Sequence, residues 1–149
     1  MSKPQNIIIS ISSDIGFSLA KKWLQSGKAV TGTYRTKSSL CDELEAMGAN
    51  LLHCDLGDKS SVNSAIDIIN NLNSWETLTL AAGHQEPVSM FLDCNFEHWE
   101  QSIMVNFSRQ LNIVHGLMPN KSLEKSSVLF FAGGGTNNAT MSYSAYTIS

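Results

Sequence analysis

The stretch Asn6 to Leu24, NIIISISSDIGFSLAKKWL, constrains the fold of this chain more than any other. An apolar, β-branched run (Ile7, Ile8, Ile9, Ile11) breaks at Ser12-Ser13-Asp14, and Gly16 opens a segment with helical spacing. Ile15, Leu19, Ala20, Trp23 and Leu24 recur at intervals that put them on one helix face. A short, continuously apolar strand feeding straight into a helix predicts a parallel strand buried on both faces. The bend between them turns free N–H groups and the positive end of the helix dipole toward the strand's C-terminal edge, a place suited to a phosphate.

The rest of the chain repeats this alternation. Strands are expected at Ala29–Tyr34, Asn50–Cys54, Thr77–Ala82 and Ser127–Ala132. Between them lie helical patterns marked by Leu40, Leu44 and Met47, then by Val62, Ile66 and Ile69. A long helix is expected from about Phe96 to Leu117, with Trp99, Ile103, Phe107, Leu111, Val114 and Met118 on its apolar stripe. Gly133-Gly134-Gly135 and a polar stretch follow the last strand. No linker or repeat interrupts the pattern, so residues 1–149 read as one domain, an α/β fold with a doubly wound parallel sheet of about five strands.

Composition narrows the partners. Charged residues are 15% of the chain, its net charge is −3 and it has no basic block, which argues against nucleic acid or an anionic membrane. Cys41, Cys54 and Cys94 lie far apart without metal-type spacing, which fits small hydrophobes in a reducing, cytoplasmic compartment. His53, His84, His98 and His115 show no metal-ligand spacing either. Neither a leader nor a membrane span is read from the start, where the apolar run stops at Ile11. Asp93, Glu97 and Glu100 read as a solvated acidic helix start. Asn106-Phe107-Ser108 and Asn138-Ala139-Thr140 match a glycosylation sequon that a cytosolic chain would not use.

Several short motifs then fall in a telling order. Ile9 to Gly16 stands where a TGxxxGIG turn would be, Asp55-Leu56 forms an acidic-apolar pair after the third strand, and Leu80-Ala81-Ala82-Gly83 falls on an NNAG position. Trp99 and Asn106 lie in WEQSIMVN, and Tyr146-Thr147-Ile148-Ser149 looks like the opening of YxxxK. On these motifs the chain resembles the short-chain dehydrogenase/reductase family over essentially its whole length, which implies a Rossmann-like fold.

The resemblance implies a carbonyl–alcohol oxidoreductase with a small-molecule substrate and a nicotinamide dinucleotide. Ser10, Ser12, Ser13, Asp14, Ile15 and Gly16 would form its phosphate turn. Asp55 and Leu56 would hold the adenine, and Ala81, Ala82 and Gly83 the ribose side of the cleft. Tyr146 would be the acid/base and Asn106 would kink its helix and hold a relay water, or else act as a local hydrogen-bonder. Family analogy also implies a homo-oligomer.

The departures from the pattern are informative. Ser10 and Asp14 replace two fingerprint glycines, whose use is a tight turn and close approach to pyrophosphate. A carboxylate about 5 Å from a phosphate charge would be repelled by roughly 3 kcal/mol, so Asp14 is read as a helix cap. The region Tyr34-Arg35-Thr36-Lys37 carries no acid for a ribose 2′-hydroxyl. Arg35 offers a fork for a 2′-phosphate and Lys37 adds charge, so NADP(H) is favoured over NAD(H); the alternative is a solvated cationic pair.

A free tyrosine ionises near pH 10 and is a poor base at neutrality; in the family a lysine four residues on assists it, and Ser149 stands one short of that position. Tyr143 is a rival, but Thr147 stands four after it. The family's substrate-binding serine would fall at Gly133, whose neighbour Ala132 also lacks a hydroxyl; Thr136, Thr140 or Ser142 could stand in. Losing such a donor commonly costs roughly 10²- to 10³-fold in rate. The chain is therefore expected to be an N-terminal portion, inactive by itself. Two other readings are a non-catalytic nucleotide-binding or regulatory protein, and a sugar-nucleotide epimerase or dehydratase relative.

Overall fold

A computed structural model describes residues 3–133 and 141–149. Its first strand, β1 (Gln5–Ile9), is the middle of the five described and the most deeply covered. Helix α1 (Asp14–Gln25) leads to β2 (Ala29–Tyr34), α2 (Ser39–Ala46), β3 (Asn50–His53), α3 (Lys59–Asn70) and β4 (Trp75–Leu80). Beyond β4 come α4 (Phe96–Ile103), a π-helical turn (Met104–Ser108), α5 (Arg109–Leu117), β5 (Ser127–Phe130) and the short α6 (Ser144–Ile148). All neighbouring strands run parallel in the order β3-β2-β1-β4-β5. The order reverses direction between β1 and β4, the switch point at which an open α/β sheet leaves a crevice beyond its strand ends.

The alternating side chains of β1 explain its burial. Ile7 and Ile9 enter a core formed with Val62, Ile69, Leu78 and Leu117, while Ile8 joins Ala20, Val30 and Leu44 on the other face. Each isoleucine is 0–1% exposed, and full burial of such a side chain is worth about 1.5–3 kcal/mol. Trp75, 1% exposed, opens β4 and donates its indole N–H to the Leu117 carbonyl at 2.7 Å, locking the end of α5 to the sheet.

Several expectations need correction. Ile15 is 48% exposed and lies off the packed face of α1. The third, fourth and fifth strands end one or two residues early, leaving Cys54, Ala81, Ala82, Phe131 and Ala132 in the loops beyond. The single long helix is two, because Met104–Ser108 forms a π turn. One extra residue in a turn rotates everything after it by about 100°, so an apolar stripe projected from Trp99 loses phase. The buried positions are Ser102, Gln110, Ile113 and Leu117, whereas Phe107, Leu111 and Met118 of the projected stripe are 40–51% exposed. The polar stretch near the end contains a helix, α6. Gly134, Gly135, Thr136, Thr140 and the Asn138 sequon lie outside the described residues.

Candidate functional site

The crevice at the C-terminal ends of β1, β2, β3 and β4 is a cleft of about 820 Å³. Its floor is the β1–α1 turn, built without the usual first glycine. Ser10 sits at φ 65°, in the left-handed region that normally favours glycine. Its carbonyl accepts from the Ser13 N–H at 3.1 Å and the Ser13 hydroxyl at 2.8 Å, and its own N–H donates to Thr33 Oγ1 at 3.1 Å. Local hydrogen bonds thus hold a conformation that the residue disfavours.

Ser13, not Asp14, caps the helix: its hydroxyl oxygen accepts from the Gly16 N–H at 3.1 Å. Asp14 is the first helical residue and is exposed, so the expectation of a carboxylate cap is overturned. Serine wins because its hydroxyl donates to the Ser10 carbonyl while still accepting from Gly16, which a carboxylate cannot do. The N–H groups of Ser12, Asp14 and Ile15 have no acceptor among the described residues. Gly16 is required by contact, since a Cβ there would stand 2.5 Å from the Ser10 carbonyl oxygen.

Of the predicted residues, Ser10, Ser12, Arg35 and Thr36 line the cleft, joined by Asp55, Leu56, Ala82 and Gly83. Ser13 and Gly16 shape the turn, and Asp14 and Ile15 stand exposed on the first turn of α1. Tyr34 packs edge-on against His53, with ring centroids 6.0 Å apart, and Ala81 packs on the core beside α1. Arg35 is exposed and has no carboxylate partner among the described residues. Lys37 is committed elsewhere: its ammonium meets Glu45 at 2.8 Å and Asp42 at 3.6 Å, which raises its pKa, chiefly through the Glu45 hydrogen bond. Lys37 therefore leaves Arg35 as the cation of this edge.

Asn106 stands in the π turn and spends its amide on one backbone unit. Its Oδ1 accepts from the His84 N–H at 2.8 Å and its Nδ2 donates to the His84 carbonyl at 2.7 Å. Nδ2 also approaches Ser149 Oγ at 3.2 Å, and that hydroxyl donates to the Tyr146 carbonyl at 3.3 Å. From within the π turn the side chain fastens the post-β4 loop to α6. Nearby, Gln110 is buried and donates to the Ala82 carbonyl at 3.2 Å.

Tyr146 does not line the cleft; its phenol lies over Gly133. A Cβ at Gly133 would be 2.7 Å from the Tyr146 hydroxyl and 2.9 Å from its ring. The position expected for a serine thus faces the tyrosine, but the phenol fills the space a side chain would need. Helix α6 is seated by Trp99, whose indole N–H donates to Ser144 Oγ at 3.0 Å while its ring stacks on Phe96 at 5.2 Å. Ser142, the one alternative hydroxyl among the described residues, approaches Met90 Sδ at 3.8 Å.

Sequence reasoning missed part of the cleft wall. His84, Glu86 and Pro87 line it from the loop after β4, and His98, Gln101 and Val105 from α4 and the π turn. The spacing of 98, 101 and 105 carries a helical signal, but only the packing of α4 against the sheet end shows that this face looks into the cleft. Cys54 also lines it; burial first, and the Asp55 charge second, push its thiol up to about 11. Among the described residues, no group of three or more His, Cys, Asp or Glu is placed to hold a metal, and no helix is long and apolar enough to cross a membrane.

A doubly wound parallel sheet with a turn of free N–H groups at its switch point defines a Rossmann-like α/β fold. A family model for short chain dehydrogenases matches residues 6–149, and the chain belongs to that family. Among solved structures it is similar to a short chain dehydrogenase family protein from Francisella tularensis, with 20% identity and a TM-score of 0.86 over 99% of this chain and 58% of that one. It is also similar to a short-chain dehydrogenase/reductase from Burkholderia vietnamiensis, with 20% identity and a TM-score of 0.82 over 98% and 70%. The YIR035C short chain dehydrogenase/reductase from Saccharomyces cerevisiae gives 20% identity and 0.83 over 97% and 59%. These likenesses establish the fold. No curated protein matched the sequence. The chain spans 58–60% of the length of several of the solved relatives.

Proposed function

We propose that this chain is the cofactor-binding part of an NADP(H)-dependent oxidoreductase that interconverts a carbonyl and an alcohol on a small molecule. The observation that carries the cofactor choice is Arg35, open to the cleft at the end of β2, with no carboxylate beside it among the described residues. An acid there would accept a ribose 2′-hydroxyl; a guanidinium instead suits a 2′-phosphate. The remaining donors fit the group as well. Among the described residues the N–H groups of Ser12, Asp14 and Ile15 are unspent, Gly16 allows close approach, and Asp55 has one carboxylate oxygen beyond its bond to the Gly57 N–H at 2.8 Å.

The bound nicotinamide would supply hydride transfer. Tyr146 would hold the exchanging proton at its phenol oxygen, and Asn106 would set the loop that borders it. Three thiols without disulfides, Cys41, Cys54 and Cys94, accord with a cytoplasmic location, and self-association is proposed on family grounds alone.

Titration followed by NADPH fluorescence tests the reading. Arg35→Ala should weaken NADPH by about 10- to 100-fold, the worth of charge-assisted bonds to one phosphate, and leave NADH nearly unchanged. Equal losses for both would remove Arg35 from the cofactor site. A second reading, a nucleotide-binding protein without catalysis, is favoured by the bare Gly133 beneath Tyr146. Turnover by a chain carrying the whole substrate region, lost on Tyr146→Phe, would decide for the enzyme.

A further inference from the structure

We propose that Gln101 reads the purine ring of the dinucleotide from the stretch of cleft wall beside Asp55. The inference rests on the dinucleotide reading above and adds a specificity-determining residue to it. Gly57 shows the geometry. A Cβ at that position would lie 3.2 Å from Asp55 Oδ1 and 3.6 Å from Gln101 Nε2, so both side chains reach the space beside this glycine. Asp55 and Gln101 also both line the cleft.

Their hydrogen-bonding abilities are complementary. An ionised carboxylate only accepts, so Asp55 can take an exocyclic amino group but can give nothing to a ring nitrogen. A carboxamide donates as well as accepts, which is the chemistry by which glutamine recognises adenine in other settings. Gln101 is exposed, and its side-chain amide makes no hydrogen bond among the described residues, while its backbone carbonyl accepts from the Met104 N–H. Its backbone is nonetheless fixed. Asn95 caps α4 by accepting from the His98 N–H at 3.2 Å, and Trp99 is held by Ser144 and Phe96. The helix that carries this free amide is therefore held in place at the cleft edge.

The test uses adenosine 2′,5′-bisphosphate, the adenine end alone, titrated by calorimetry into the full chain and into Gln101→Leu. The variant should bind about 5- to 10-fold more weakly, the worth of one hydrogen bond, with an unchanged melting temperature because the side chain is exposed. The 1-deaza and 7-deaza forms of the ligand identify the bond. One of them should show the same loss against the wild-type chain and none against Gln101→Leu. Gln101→Glu, which cannot donate, should lose at least as much as the leucine variant. Undiminished binding by Gln101→Leu, or deaza penalties that persist in it, would overturn the role of Gln101 and leave the dinucleotide reading standing. No binding by the wild-type chain would overturn both.

Discussion

Ser10 and Cys54 show how much a single position can carry here. Ser10 occupies a left-handed conformation at φ 65°, which costs a non-glycine residue about 1–2 kcal/mol. Glycine removes that cost but adds freedom to the unfolded chain, worth about 0.4–1 kcal/mol in the other direction. Ser10→Gly should therefore raise stability by up to about 1.5 kcal/mol, read as a higher midpoint in urea with an unchanged slope. Cys54 is a different case. Its thiol is raised from 9.0 to about 11, mainly by burial, so the protonated form is favoured in the folded state. The associated stabilisation is complete below about pH 9 and drains away as pH rises toward 11. At pH 8 Cys54 should react with iodoacetamide about 100-fold more slowly than a thiol of ordinary acidity, as read by peptide mapping. Reaction at the ordinary rate would contradict the burial.

At the scale of elements, the junction between α4 and α5 organises the site. The π turn places Asn106 where both polar atoms of its amide meet His84, and Gln110 reaches the Ala82 carbonyl one helical turn on. These bonds hold the post-β4 loop at the cleft edge while α6 leans on the other side through Ser144 and Ser149. Asn106→Leu should cost about 2–3 kcal/mol, since it strands the N–H and C=O of His84. The loss should be largest in amide exchange protection at His84 and along α6, with β1 to β3 spared until global unfolding. Uniform loss of protection would show that the junction is no separate unit. The asparagine and the helical spacing around it were legible in the sequence. The π turn itself was not, because it changes the phase of a pattern without changing its composition.

On the scale of the whole molecule, the two cores either side of β1 are joined to the helical end through few large anchors. Trp75 is the largest: it is 1% exposed and its indole ties β4 to the end of α5 at 2.7 Å. Trp75→Phe should lower stability by about 2–3 kcal/mol, from an unpaired Leu117 carbonyl plus a partial cavity. Thermal unfolding would check this, and a loss below about 0.5 kcal/mol would mean that the region repacks freely. At the opposite edge β5 is the outermost described strand, with Phe130 and Phe131 each half exposed. That apolar border contrasts with the buried strands, and the family motif runs through it to residue 149.

The alternation of apolar runs with helical spacing determined the parallel sheet, the position of the turn after β1 and the cleft residues that follow strand ends. Those signals are local, and each is written in the burial demands of its own segment. Asp14 as cap, an unpaired Lys37 and a single unshifted apolar stripe over 96–117 each met a competitor elsewhere: the Ser13 hydroxyl, the carboxylates of α2, and a shift of helical phase. Only the tertiary structure decided that Gln101 and His98 face the cleft, and that the Tyr146 phenol rests on the bare Cα of Gly133. Such placements arise where separate elements meet, and no stretch of sequence contains both partners.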